Sequence, residues 1–229
     1  MAGRPSGSGT SLARYSLAGG LTRSLGFSAD GQVLYLPSGI EFVTGNSSGV
    51  ELVSNSGSLV RKLPVRGTSA NSCNPVRWWN SGTVLVSCPE PSSPSARLWL
   101  VPVSGARPTA LTPLRRVSSG DLGDLDAWSL PSGLYLQSAG PCGVLQIFKQ
   151  ARGGSITLVK VPHTVGDNHV LTTLGSRMLI QAPTSCTGSV SLLWFDPATH
   201  AEQWLVRAPA SATGAAIAVP FYSRENGNL

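Results

Sequence analysis

A glycine-centred turn recurs four times along the chain, each time between two short apolar stretches. Leu36-Pro37-Ser38-Gly39 is echoed by Leu130-Pro131-Ser132-Gly133, Trp79-Asn80-Ser81-Gly82 holds the same place between them, and Gly175, before Met178-Leu179-Ile180, is the fourth. The intervals from Gly39 to Gly82, to Gly133 and to Gly175 are 43, 51 and 42 residues. Repetition at that period means one small unit built several times, because a single unit cannot bury its apolar face alone.

The apolar stretches have the length of strands. They fall at residues 33–36, 40–43, 50–53, 83–86, 98–101, 134–136, 144–148, 178–180 and 191–195, between turn clusters such as Ser54-Asn55-Ser56-Gly57. No window of helical length carries an i, i+3, i+4 apolar stripe without a Gly or Pro breaking it. The chain is therefore predicted to be all-β. Each repeat reads as strand, turn, strand, loop, third strand, turn, fourth strand, the last two being clearest at 98–103 with 110–113 and at 192–195 with 203–206. A four-stranded antiparallel unit of roughly 40–50 residues is the signature of a β-propeller blade.

The ends fit the same scheme. Residues 13–17 and 21–25 read as the outer strands of an earlier blade, and 215–219 as the inner strand of a later one. Four full blades plus this split blade close a five-bladed ring and leave no bare edge. A fragment of a larger ring is the alternative. A second register, starting from Phe27-Ser28-Ala29-Asp30-Gly31, moves the blade boundaries without changing the class. Residues 1–11, rich in Gly and Ser, read as a disordered tail and 12–229 as the propeller domain.

Composition removes several classes. With 41% hydrophobic and 12% charged residues the chain is neither disordered nor a coiled coil. No apolar run approaches the ~18–20 residues that span a bilayer. The net charge is +6, but its carriers are scattered and Lys62, Lys149 and Lys160 are the only lysines. The charge reads as solubility, and nucleic acid is not expected as a partner.

The cysteines are Cys73, Cys88, Cys142 and Cys186. Cys73 precedes the first strand of the second repeat and Cys88 closes its second strand, so antiparallel pairing brings these two ends side by side. Cys142 and Cys186 occupy the same loop of successive repeats. The expected bridges are Cys73–Cys88 and Cys142–Cys186, in a protein exported or associated with the cell envelope. Met1-Ala2-Gly3-Arg4-Pro5-Ser6-Gly7 lacks the apolar segment of a secretory signal, which keeps a cytoplasmic location with free thiols as the alternative.

Candidate chemistry is sparse. Gly45-Asn46-Ser47-Ser48-Gly49 matches the G-x-S-x-G elbow, which needs a helix after the serine. A strand-like stretch follows instead, so this reads as a hairpin. His163, His169 and His200 have no zinc-ligand spacing, and no metal or cofactor is expected. Asp121, Asp124 and Asp126 form the densest carboxylate cluster and lead into the first strand of the third repeat. They read as a solvated entry loop, with a calcium site or a glycosidase pair as lesser readings.

Six tryptophans stand out: Trp78, Trp79, Trp99, Trp128, Trp194 and Trp204. Trp99 and Trp194 share a third-strand position, which points to packing between blades. Trp78 or Trp79 and Trp128 share the end of a first strand, and first strands line the channel of a propeller. Tyr, Trp and Arg are the side chains most often energetic at contacts. Arg77, Trp78, Asp124, Asp126 and Trp128 are therefore the candidate ligand- or partner-binding residues, with plain core packing as the alternative for each tryptophan.

Phe27-Ser28-Ala29-Asp30-Gly31 resembles the S-P-D-G turn of TolB-like and WD40-like propeller repeats, with Ala29 in the proline position. The stretches 75–79, 97–102 and 121–128 are similar to actinobacterial TolB-like propeller proteins, and the likeness runs from about Leu12 to Phe221. The resemblance implies a binding scaffold and brings no catalytic residues. Together with the repeats, it predicts a non-catalytic, monomeric scaffold that binds a protein, peptide or envelope component at its channel mouth. The alternatives are a propeller hydrolase or lyase with a site in the funnel, and the accessory propeller of a larger peptidase.

Overall fold

Every described strand from Val33 onward pairs with a strand next to it in sequence, as short loops and period-2 alternation dictate. The computed structural model describes residues 2–6, 9–15, 21–29, 33–36, 41–46, 49–65, 73–90, 93–113, 123–139, 144–164, 166–183 and 190–207. No helix occurs among them.

Four antiparallel meanders account for most of the chain. Sheet I holds β4 (Val33–Tyr35), β5 (Glu41–Asn46), β6 (Gly49–Ser54) and β7 (Leu59–Lys62). Sheet II holds β8 (Asn74–Asn80), β9 (Thr83–Glu90), β10 (Ser93–Pro102) and the short β11 (Thr109–Ala110). Sheet III holds β12 (Gly123–Leu130), β13 (Gly133–Ala139), β14 (Leu145–Gln150) and β15 (Ile156–Val159). Sheet IV holds β16 (His169–Leu174), β17 (Arg177–Pro183), β18 (Val190–Phe195) and β19 (Glu202–Val206). Ahead of them, β1 (Ala2–Ser6), β2 (Gly9–Tyr15) and β3 (Leu21–Ala29) form a three-stranded sheet. β1 lies inside the stretch that reads as a tail in the sequence. The expected closing strand at 215–219 lies outside the described residues.

The recurrent turn joins first to second strand in the later sheets, at Gly82, Gly133 and Gly175, as the first register predicts; Gly39 lies outside the described residues. The Asn80 side-chain oxygen accepts from the Gly82 amide at 3.0 Å across the β8–β9 turn. Gly133 and Gly175 have φ of 135° and 61°, a region that costs glycine little and other residues much.

The chain divides into two compact units at Leu114–Arg115. In the first, Leu34, Val43, Val50 and Leu52 of sheet I pack with Val84, Val86, Trp99 and Val101 of sheet II. In the second, Trp128, Tyr135, Ile147 and Val159 of sheet III pack with Val170, Met178, Ile180, Leu193 and Phe195 of sheet IV. Burying each such side chain contributes roughly 1.5–3 kcal/mol. A sheet with one covered face needs this partner, so each unit contains two meanders around a shared core.

The Cys73–Cys88 disulfide is formed, with a Cα separation of 4.2 Å, at the predicted ends of β8 and β9. Cys142 and Cys186 lie outside the described residues. Beyond β18, the Asp196 carboxylate accepts from the Ala198 and Thr199 amides at 2.9 and 3.2 Å and from the Ser176 hydroxyl at 2.6 Å. It thereby ties the β18–β19 turn to the β16–β17 turn. These hydrogen bonds, led by the one from Ser176, hold its pKa below the ordinary value of 3.8.

Candidate functional site

The candidate residues lie on two first strands, one in each unit. On β8 the register runs Pro75↔Val86, Arg77↔Leu85 and Trp78↔Val84, with an irregularity between Pro75 and Arg77. Consecutive partners sit on opposite faces of a strand, so Arg77 and Trp78 point to opposite sides of sheet II. Trp78 faces the core of the first unit, packing against the cluster that contains Val84 and Val86. Its indole nitrogen is buried and has no hydrogen-bond partner among the described residues. Both Arg77 and Trp78 stay partly exposed.

β12 carries the other three. A bulge at Leu125 breaks its ladder, which runs Asp124↔Ser138, Asp126↔Gln137 and Trp128↔Tyr135. In an unbroken strand Asp124, Asp126 and Trp128 share one face. The extra residue instead turns Asp124 to the side of Ser138, while Asp126 and Trp128 share the side of Gln137 and Tyr135. Asp124 is 2% exposed and accepts from the Ser138 hydroxyl at 2.6 Å. Trp128 is 3% exposed and belongs to the core of the second unit. Asp126 remains partly exposed, its Oδ1 accepting from the Ala127 amide at 2.7 Å. Arg77, Trp78 and Asp126 are therefore partly open to solvent, whereas Asp124 and Trp128 are buried. Asp121 lies outside the described residues.

β16 repeats the feature, with a register shift between Val170 and Thr172. Bulged first strands thus recur in sheets II, III and IV, where they re-aim side chains at strand ends.

The other sequence candidates separate. Asn46 and Gly49 are partners across the β5–β6 hairpin, so a strand follows the G-x-S-x-G stretch. Trp99 is 9% exposed and lies in the first core under the Arg97 guanidinium, 5.0 Å from its ring centre. Trp194 has Arg177 at 5.5 Å, and Trp204 has Arg207 at 4.9 Å. Such cation–π stacks keep a cation over the ring's negative face. His163 Nδ1 lies 3.3 Å from Glu202 Oε2, which also accepts from Trp204 Nε1 at 2.9 Å. His200 packs edge-on against Phe195, with ring centres 5.8 Å apart, and His169 lies on β16. No group of three or more His, Cys, Asp or Glu is placed to hold a metal among the described residues.

A buried polar group that the sequence reading did not single out lies in the second unit. Gln137, Ser138 and Asn168 are 3, 3 and 4% exposed. Gln137 Nε2 donates to the Asn168 carbonyl at 2.5 Å. The available signal was a Gln-Ser pair continuing the apolar run Leu134-Tyr135-Leu136 where alternation calls for burial on both faces.

No family model matches the chain, and no curated protein matches it in sequence. Solved structures do match in shape. A puromycin-hydrolysing peptidase of Mycobacterium tuberculosis superposes with a TM-score of 0.55 at 18% identity, over 83% of this chain and 31% of that one. An assigned TolB from Agrobacterium tumefaciens gives 0.52 at 12% identity, over 81% and 65%. TolB from Acinetobacter baumannii gives 0.51 at 13% identity, over 80% and 45%. The chain spans less than two thirds of the length of each. At these identities the likeness is one of fold: the chain has a TolB-like β-propeller fold made of four-stranded antiparallel blades, as the repeats predict.

Proposed function

We propose that this TolB-like propeller is a binding scaffold that engages a protein or peptide through the ends of its blades' first strands, at the channel mouth. The observation that carries the reading is made on one first strand in each unit, taken by itself. Arg77 and Trp78 on β8, and Asp126 on β12, are partly exposed and sit next to bulges, the one strand offering a cation and an aromatic ring and the other a carboxylate. Asp124 and Trp128 hold the β12 strand in position for that contact. The Cys73–Cys88 bridge supports an oxidising compartment, hence an exported or envelope-associated protein.

Site-specific photo-crosslinking tests this reading in cells that make the protein. A photoreactive residue at position 77 or 126 is expected to trap one discrete partner, and the same residue at Ser56, in the exposed β6–β7 turn, to trap none. Equal adducts at all three positions, or none at 77 and 126, would overturn it.

A second reading, the accessory propeller of a peptidase, is favoured by the match to the Mycobacterium tuberculosis enzyme, of which this chain spans 31%. That reading expects the purified chain to hydrolyse no peptide by itself; hydrolysis abolished by Asp126→Asn would instead make the chain a propeller hydrolase and replace both readings.

A further inference from the structure

A half-open cleft of about 280 Å³ lies within the second unit, bounded by β14, β15 and the connection that leads into β16. Its apolar lining comes from Ile147, Val159 and Val161, all members of the second unit's core, and from Leu158, which is 43% exposed. Its polar lining includes Gln146 of β14, with Lys160, Thr164 and Asn168 of the connection. The volume falls just short of the roughly 300–1,000 Å³ that holds drug-sized ligands, so the cleft suits a smaller molecule.

Hydrogen bonds hold the connection in place around this opening. Asn168, the residue before β16, donates its amide to the Leu145 carbonyl at 2.8 Å, and its own carbonyl accepts from Gln137 Nε2. The Leu145 amide donates to Asp167 Oδ1 at 2.8 Å, and the Thr164 hydroxyl donates to the Val161 carbonyl at 3.0 Å. His163, at a φ of 55°, has its Nδ1 3.3 Å from Glu202 Oε2 on β19. A wall fixed in this way is formed before a ligand arrives, which lowers the ordering cost of binding.

What the lining leaves unmatched defines the ligand. Lys160 is exposed, is the one ionisable side chain among the described lining residues, and has no carboxylate paired with it among the described residues. Asn168 is 4% exposed, and its side-chain oxygen is buried with no hydrogen-bond partner among the described residues. An unmet buried acceptor is unfavourable and calls for an N–H or O–H donor. The terminal torsion of an asparagine is soft, so a small rotation turns the amide toward a bound molecule.

We infer that this cleft binds a small carboxylate that carries a short aliphatic group and one N–H donor, the chemistry of an N-acylated aliphatic amino acid. The carboxylate pairs with Lys160, the N–H meets the Asn168 oxygen, and the aliphatic group covers Leu158 and the margin of the core at Val159 and Val161. The inference rests on this lining alone and requires no partner at the first strands.

NMR titration of the full chain, labelled with nitrogen-15, tests this with N-acetyl-L-valine. Saturable shifts are expected at the Leu158, Val159, Lys160, Thr164 and Asn168 amides. N-acetyl-L-valinamide, which lacks the carboxylate, is expected to bind about fivefold more weakly. So is 3-methylbutanoate, which lacks the N–H, whereas N-acetylglycine, without the aliphatic group, is expected to lose about tenfold. Lys160→Gln, an exposed change that leaves the core untouched, is expected to erase the preference for the acid over its amide. Asn168→Ala is expected to erase the preference for N-acetylvaline over 3-methylbutanoate. Absence of saturable shifts at these amides, equal affinity for acid and amide, or a preference for the acid that survives in Lys160→Gln would each overturn the proposal. Equal binding of 3-methylbutanoate or N-acetylglycine would overturn the ligand class in favour of a plain anion site.

Discussion

The Ser138 hydroxyl donates to the Asp124 carboxylate at 2.6 Å across the β12–β13 ladder, and both residues are at least 97% buried. Two residues along the chain, Asp126 faces the other side of the same sheet and keeps contact with solvent. One bulge therefore divides a cluster of like residues into an internal strut and a surface group.

That division has a thermodynamic signature. Asp124→Ala removes a buried hydrogen-bond partner and is expected to cost about 1–3 kcal/mol, whereas Asp126→Ala stays within about 0.5 kcal/mol. Urea denaturation of the two variants measures it, and equal losses would contradict the assignment of faces.

Reduction of the Cys73–Cys88 bridge frees a segment of 15 residues. Loop-closure entropy puts the expected loss at about 3 kcal/mol. Urea midpoints with and without a thiol reductant give the value, and a Cys73→Ala/Cys88→Ala variant should no longer respond to reductant through this bridge.

Asp196 makes stability pH-dependent. Its pKa is lowered in the folded protein, chiefly by the Ser176 hydroxyl and then by the Ala198 amide, from the ordinary 3.8 that the unfolded chain retains. A depressed folded pKa stabilises the fold above the unfolded value, and that contribution is lost as pH falls through 3.8 toward the lower folded value. The stability gap between wild type and Asp196→Asn is expected to be largest near neutrality and to shrink below about pH 3.8. Chemical denaturation across that range reads it, and a gap that widens in acid would refute the assignment.

Gly45 in β5 leaves little room for a methyl group. A Cβ there would stand 3.0 Å from the Cys73 carbonyl oxygen and 3.2 Å from Pro75 Cδ, and the disulfide pins that backbone. Gly45→Ala is expected to cost about 1–3 kcal/mol by overpacking. Gly82→Ala, with open space around its Cβ, serves as the control, and thermal melts compare the two.

Much of this architecture was legible in the residues. Short apolar runs broken by Gly, Pro, Asn and Ser can bury themselves only as hairpins, so strands and turns followed from local chemistry. The equivalence of Gly82, Gly133 and Gly175 placed the first-to-second strand turn of three sheets. Cys73 and Cys88 bracket one hairpin, and antiparallel pairing alone brought them together. The candidate site was less legible. Its five residues were chosen by type and by proximity in sequence, and burial then removed Asp124 and Trp128 from any accessible surface.

What the amino-acid order determined, then, is the repeated four-stranded unit, its turns and its local disulfide, because each depends on residues within one hairpin or one period. What only the tertiary structure decided is which way the polar side chains face and which lose their water. The alternation of a strand predicts faces only while its ladder is regular, and a single extra residue at Leu125 reverses it. The Gln137 hydrogen bond to the Asn168 carbonyl arises in the same way, since whether a polar atom finds a partner depends on the elements folded around it rather than on its neighbours in the chain.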